Sequence, residues 1–482
     1  MADEPEGAGL EPGSRSTGYR SRTALLFAIS EIVGKLASFG TFAVASRVLG
    51  PSGFGDYSWA FALGAIVASH GMFGFDMALI QLGEQNRNRV SDYLSSSLAL
   101  RLAIGVVSVA IVTVMPLTNP DARSLLVIMT VALSLENLST GIRASASTVD
   151  RQRGAAVVII VQRLVTAVVS ISALLLGFGV IAMGVAYLVG TAIGVVSLLF
   201  VATRIGVAPH VRNIHRDSTI ALCRKAVLPG MANIMNMPTA RLDIVALERR
   251  GNQDAVGYFG AAFQLVQTSL FVSDSLIRAA VPALLYAKEP TRVGEIVRAA
   301  LATNSVFYFP LAVALSVRGG DILALLFGSA FAEGGKAMPP LAIGLLAWIT
   351  LSLLTTTLLT RHQSKDVAWC AALALVVKLI IVWPLVNTWG IVGAGVSFAI
   401  AFTVQAAALW WRLSRYGARP KMGVSLLPAA IASMVMAPVA YYIPSIWLAG
   451  FVSLVTYGAC WWLLAHRLDP GSLSRVKALV RR

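Results

Sequence analysis

The chain has 482 residues, of which 57% are hydrophobic and 13% charged, a balance that excludes a soluble globular domain of this length. Its 39 Lys plus Arg against 23 Asp plus Glu give a net charge of +16. The basic residues are dispersed over short gaps instead of forming one stripe, which argues against a nucleic-acid partner. They read instead as topology signals and contacts to membrane lipid headgroups.

Residues 1–22 carry Asp3, Glu4, Glu6 and Glu11 among Gly, Pro and Ser. They lack the apolar h-region and cleavage site of a signal peptide and read as a disordered cytosolic tail. Apolar stretches then follow at roughly 24–49, 57–80, 93–115, 122–142, 155–176, 180–203, 226–247, 255–285, 299–317, 340–360, 367–386, 390–411, 424–440 and 447–465. These are about fourteen spans of the length a bilayer needs, the first serving as an uncleaved anchor. Every second gap, together with the two tails, holds 27 of the 39 Lys plus Arg, while the other gaps hold Arg123, Arg249, Arg250, Arg318 and Lys336. By the positive-inside rule the basic gaps and both termini face the cytoplasm, so the number of spans is even.

The longest charged gap between spans, 204–225, divides six spans from eight. The expected organisation is a tail (1–22), a first lobe of helices 1–6 (23–203), a cytosolic linker (204–225), a second lobe of helices 7–12 (226–413), two extra C-terminal helices (414–465) and a basic tail (466–482). No gap offers room for a soluble catalytic domain of ordinary size. Cys223, Cys370 and Cys460 lie in or beside three different spans, with neither metal spacing nor a disulfide framework. No cofactor is expected. Gly53-Phe54-Gly55-Asp56-Tyr57-Ser58-Trp59-Ala60-Phe61-Ala62-Leu63 and Ala255-Val256-Gly257-Tyr258-Phe259-Gly260-Ala261-Ala262-Phe263-Gln264-Leu265 open spans two and eight and align with a one-residue gap. Parallel repeats of this kind are one transporter plan, with substrate held between the halves.

The run Ser46-Arg47-Val48-Leu49-Gly50-Pro51-Ser52-Gly53-Phe54-Gly55-Asp56-Tyr57 resembles the signature that joins the first two helices of bacterial polysaccharide biosynthesis proteins. These are O-antigen type flippases of the multidrug/oligosaccharidyl-lipid/polysaccharide exporter superfamily. Arg241-Leu242-Asp243 followed by Ala255-Val256-Gly257-Tyr258, and later Gly390-Ile391-Val392-Gly393-Ala394-Gly395, resemble further segments of the family in the right order. The resemblance implies an all-α polytopic membrane protein with two six-helix lobes in a V around a central cavity. It implies alternating access for a polyprenyl-diphosphate-linked glycan in the bacterial inner membrane, often driven by a proton or sodium gradient. Glycosyltransferases and a polysaccharide polymerase are the expected functional neighbours, and the chain is expected to act as a monomer. The structural motif residues are Arg47, Gly50, Pro51, Gly55 and Tyr57, with Arg47 able to snorkel to the interface.

An ionisable group inside a span is costly unless it faces a wet cavity or a partner, so each is a functional candidate. After topology is subtracted, the cations Lys35, Arg47, Arg101, Arg163, Arg241, Arg278 and Lys378 remain, with the acids Glu31, Asp76, Glu136, Asp243 and Asp274 at comparable depth. Arg suits a diphosphate because its planar fork stays charged and binds phosphate oxygens in pairs. Lys35, Arg101, Arg163, Arg241 and Lys378 are therefore the expected substrate contacts. Glu31, Asp76, Glu136, Asp243, Asp274 and Arg278 are the candidates for ion coupling or gating, since carboxylates at membrane depth can load and release a proton.

Salt bridges closing the cytoplasmic side are the alternative for Asp76, Glu136, Arg101 and Arg163. Glu31 and Lys35, like Asp274 and Arg278, have the four-residue spacing that allows pairing within a helix. Ser30, Gly34, Ser38 and Thr41 make the Lys35 face small and polar. Arg241 and Asp243 are two apart, point to different helix faces and need separate partners. Their span is also the most polar, with Pro229 and Pro238 able to free backbone carbonyls. Among the histidines only His70 lies within a span, where it reads as a packed interior residue. A polymerase or glycosyltransferase would need a long loop with paired acids or a phosphate loop, and none is present. A multidrug exporter of the same superfamily, with fewer buried cations, is the nearer alternative, and a non-transporting scaffold with all charges paired is the third.

Overall fold

The computed structural model describes residues 15–117, 119–149, 153–418 and 423–468, with the backbone alone described at 15–33, 35, 423–425 and 468. Within the described residues the regular structure is helical throughout, as an apolar solvent requires when every backbone N–H and C=O must be satisfied inside its own segment. The helices are α1 (Arg15–Ala68), α2 (Phe75–Gln85), α3 (Val90–Thr113), α4 (Pro120–Thr148), α5 (Arg153–Leu175), α6 (Gly179–Arg204), α7 (Arg216–Glu248), α8 (Gln253–Ser269), α9 (Phe271–Tyr286), α10 (Pro290–Phe327), α11 (Met338–Thr360), α12 (Ser364–Arg415), α13 (Gly423–Tyr442) and α14 (Ile446–Leu468).

Among the described residues ten segments are long and apolar enough to cross a bilayer, and two of these, Leu36–Gln85 and Ser364–Arg415, run for 50 and 52 residues. At 1.5 Å per residue each is long enough for two crossings. Helix α7 has 33 residues and is long enough but too polar for the same test, and Leu426–Tyr442 is a shorter apolar helix. The chain is therefore a multi-pass all-helical membrane protein with about fourteen crossings.

Two glycines make the double crossings possible. Helix α1 bends at Gly50 (φ 68°) and α12 at Gly390 (φ 57°), left-handed conformations that a Cβ would strain. Pro51 follows directly and starts the outgoing arm, where its missing N–H is not needed. Spans two and eight are each broken. The arm 51–68 of α1 gives way to a 3-10 turn at Ser69–Met72 and resumes as α2, while α8 and α9 meet at Leu270.

Helix α1 packs on α4 and α5, α6 covers both α4 and α5, and α3 packs on α4, which makes the first lobe. Helices α7, α10, α11 and α12 pack together as the second, while α13 lies on α10 and α14 on α13. The lobes meet where α1 lies along α8 and where α2 lies along α7. At the first contact the backbones touch. A Cβ on Gly55 would stand 2.3 Å from the Gln253 carbonyl oxygen, and one on Gly257 would stand 2.0 Å from that of Pro51.

The motif residues close this end of the bundle. Ser46 Oγ donates to the Phe327 carbonyl at 3.0 Å, and Arg47 Nη2 to the Leu325 carbonyl at 2.7 Å. Phe54, buried, meets Phe331 edge-on at 5.8 Å. Gly55 and Gly257 have the same separation along the chain as Phe61 and Phe263, so the repeat aligns without the gap that the sequence comparison introduced.

Candidate functional site

A cavity of about 450 Å³ lies between the lobes. The bent helix α1 supplies Gly34, Ser38, Thr41 and Phe42 from its first arm and Tyr57 and Phe61 from its second. Helices α4, α5 and α6 add Arg143, Arg163, Thr166 and Tyr187, and the second lobe adds Arg241, Gln264, Gln267, Thr268, Asp274 and Trp348.

On the first-lobe wall one carboxylate organises two guanidinium groups. Arg163 Nη2 donates to Glu136 Oε1 at 3.2 Å, and Arg143 Nη2 lies 3.8 Å from the same oxygen. Gln162 Nε2 donates to Glu136 Oε2 at 3.0 Å, so both carboxylate oxygens are held. Gly194 of α6 makes room for Gln162, because a Cβ there would stand 2.3 Å from its amide oxygen, and Gly34 likewise leaves space beside the Arg163 side chain. Glu136, Thr140 and Arg143 fall on one face of α4 by their spacing of four and three.

Arg241 projects into the cavity from α7 between two aromatic rings that come from the repeated segments. Its guanidinium carbon lies 4.8 Å from the Phe61 ring centre and 5.7 Å from that of Phe263. Such stacking holds a planar cation in a fixed plane and leaves its in-plane N–H groups for a ligand. Tyr57 and Tyr187 lie within interaction range of both Arg163 and Arg241.

The two-residue spacing places Asp243 behind this surface. Asp243, Lys378 and Ser397 have no exposed surface: Lys378 donates to the carboxylate of Asp243 and, at 3.0 Å, to Ser397 Oγ, and Ser397 donates to the other carboxylate oxygen. Deeper in the first lobe Arg101, 1% exposed, donates to Asp76 at 2.5 Å, to the Asn137 carbonyl at 2.6 Å and to Thr140 Oγ1 at 2.9 Å.

This corrects two expected substrate contacts. Arg101 and Lys378 are turned into their own lobes, because each has a carboxylate partner on another helix and an apolar interior that penalises leaving it. Asp76 and Asp243 are correspondingly bound to these cations. Arg278 is exposed and does not line the cavity, whereas Asp274 does. The side chains of Glu31 and Lys35 lie outside the described residues. Arg143 falls at the end of a span, at the start of a basic cytoplasmic gap, where its charge reads in sequence as a topology signal. The polar face Gln264, Gln267 and Thr268, at i, i+3 and i+4 in an otherwise apolar helix, carries no charge and is legible in sequence only as a break in apolar periodicity.

The sequence model of a family described as "Polysaccharide biosynthesis protein" matches residues 22–286. The chain belongs to this family. The model of "Lipid II flippase MurJ" matches residues 256–459. Among solved structures, Lipid II flippase MurJ in an inward closed conformation superposes with a TM-score of 0.74 at 12% identity, over 92% of this chain and 98% of that one. An inward-facing multidrug resistance MATE family transporter of the MOP superfamily gives 0.67 at 15% identity, over 81% and 96%. A MOP superfamily transporter from Pyrococcus furiosus, described by a binding pocket of reverse polarity, gives 0.54 at 15% identity, over 84% and 96%. No curated protein matches. At these identities the likenesses establish a shared fold. The chain is thus a multi-pass helical membrane protein of the polysaccharide biosynthesis family that shares its fold with MurJ and the MATE transporters.

Proposed function

We propose that this protein flips a polyprenyl-diphosphate-linked oligosaccharide, a surface polysaccharide precursor, from the cytoplasmic to the outer leaflet of the bacterial inner membrane by alternating access. The observation that carries this reading is the cavity wall on which Glu136 presents Arg143 and Arg163 while Arg241 stands fixed between Phe61 and Phe263. Three guanidinium groups in a space of about 450 Å³ suit the oxygens of a diphosphate. The facing amides and hydroxyl of Gln264, Gln267 and Thr268 suit sugar hydroxyls. The polyprenyl tail stays in lipid while the headgroup crosses.

With both termini cytoplasmic, the Gly50 turn lies on the outer side, so the Gly55–Gly257 contact closes the cavity outward and loading occurs from within. A cationic drug would meet three cations against the two acids Glu136 and Asp274, which makes the multidrug alternative the weaker reading. The partners are the glycosyltransferases that build the precursor and the polymerase that uses it, with the chain acting as a monomer. In a strain lacking the gene, wild-type protein should restore surface polysaccharide, whereas Arg163→Ala and Arg241→Ala should not, although both reach the membrane. Lipid-linked oligosaccharide should then accumulate on the inner leaflet. Normal polysaccharide in both mutants would refute the site.

A further inference from the structure

We propose that the ammonium group of Lys378 is the permanent, tethered occupant of a monovalent-cation site formed by Asp243 and Ser397, so that the second lobe takes up no free sodium there. The donor set is that of a hard-cation site. Asp243 on α7 brings two carboxylate oxygens, Ser397 on α12 brings its hydroxyl, and the Ala394 carbonyl lies 3.1 Å from that hydroxyl. Oxygen donors of these three kinds are what hard cations bind. The Lys378 ammonium, a compact point charge on a long stem, reaches both side chains from the first arm of α12, before the Gly390 bend, and thereby joins α7 to both arms of α12.

Charge and burial exclude a second cation. Asp243 is the only acid that pairs with Lys378 among the described residues, and neither group has surface exposed to water. On the remaining side the Phe398 ring lies 5.9 Å from Lys378 Nζ. One carboxylate and one ammonium already balance, so a sodium ion could enter only by expelling Lys378 into an apolar interior, which is strongly unfavourable for an unpaired charge. Arg241, two residues from Asp243, faces the cavity and its rings, so substrate contact and the internal cation sit on opposite faces of α7. This internal site lies behind the cavity wall and does not depend on what the cavity carries.

The test uses purified full-length protein in detergent and reads binding of radioactive sodium together with Tm in sodium chloride or choline chloride at equal ionic strength. The wild type should retain no saturable sodium and show the same Tm in both salts. Lys378→Ala vacates the space beside Asp243 and Ser397. It should acquire saturable sodium binding and a sodium-dependent rise in Tm, and Lys378→Ala/Asp243→Asn should lose both. Saturable sodium binding by the wild type that Asp243→Asn abolishes would overturn the proposal, as would a folded Lys378→Ala protein indifferent to the two salts. Recovery of folded Lys378→Ala only in sodium would support it. If that variant folds in neither salt, the wild-type measurement with its Asp243→Asn control decides.

Discussion

The two lobes handle intramembrane charge in opposite ways. The first lobe turns charge toward the cavity: Arg143 and Arg163 line it, and their shared partner Glu136 has a side chain 15% exposed. Even its inner pair is half open, since the Asp76 side chain is 36% exposed while Arg101 is sealed. The second lobe seals Asp243 and Lys378 completely and gives the cavity a single Arg, a carboxylate and uncharged amides. An ion pair closed off from water is costly to break, while one at a cavity wall can exchange partners with a ligand. The asymmetry therefore separates a cavity wall dense in charge from one made mostly of uncharged amides, on a scaffold whose helices repeat.

The sharpest way to break this contrast is to remove one member of each buried pair. Asp243→Ala leaves Lys378 charged in a dry interior and should cost about 3–5 kcal/mol, read as a large fall in Tm. Asp76→Ala should cost less, because water reaches that side of Arg101. Equal losses would mean that the lobes are not sealed differently.

Removing cavity cations comes next. If the proposed site is right, Arg163→Ala or Arg241→Ala should forfeit a charge-assisted hydrogen bond of about 1.5–3 kcal/mol, a loss of roughly 10–100-fold in transport measured in proteoliposomes. Lys at either position should restore only part, since it lacks the planar fork. Full activity in the Lys variants would show that charge alone matters.

Gly257→Ala tests the contact between lobes. The added methyl has to displace the Pro51 carbonyl, an overpacking cost of about 1–3 kcal/mol. In a cysteine-free background, Thr41→Cys in the cavity should then label faster with an impermeant maleimide added outside. Unchanged labelling would separate the glycine contact from closure. The smallest effect is expected on the amide-lined wall, where Gln264→Leu and Gln267→Leu should each lower transport by about 2–10-fold, the worth of one neutral hydrogen bond, with Tm unchanged.

Crossing number and helical class were legible because apolar length and the distribution of Lys and Arg are properties of single segments. The Gly50 turn was legible from its motif, and the break in α7's apolar pattern marked the helix that carries Arg241. What charge inventory alone missed was partnership. Lys378 has no acid within a turn of its own helix, and its carboxylate comes from α7, far away in the chain. Arg101 meets Asp76 across a broken helix, and Arg143 looks like a topological anchor until Glu136 is seen to draw it toward the cavity. Pairing between helices is a property of packing, and a residue's own neighbourhood in sequence does not contain it.

The contact of Gly55 with Gly257 has a mechanical consequence. Bare main chain pressed on main chain has no rotamers to rearrange, so the joint cannot stretch by degrees as a side-chain interface can. A displacement of a single atomic diameter empties it. At this point the two helices have no side chain between them to fill a gap, so the seam there is either packed or open.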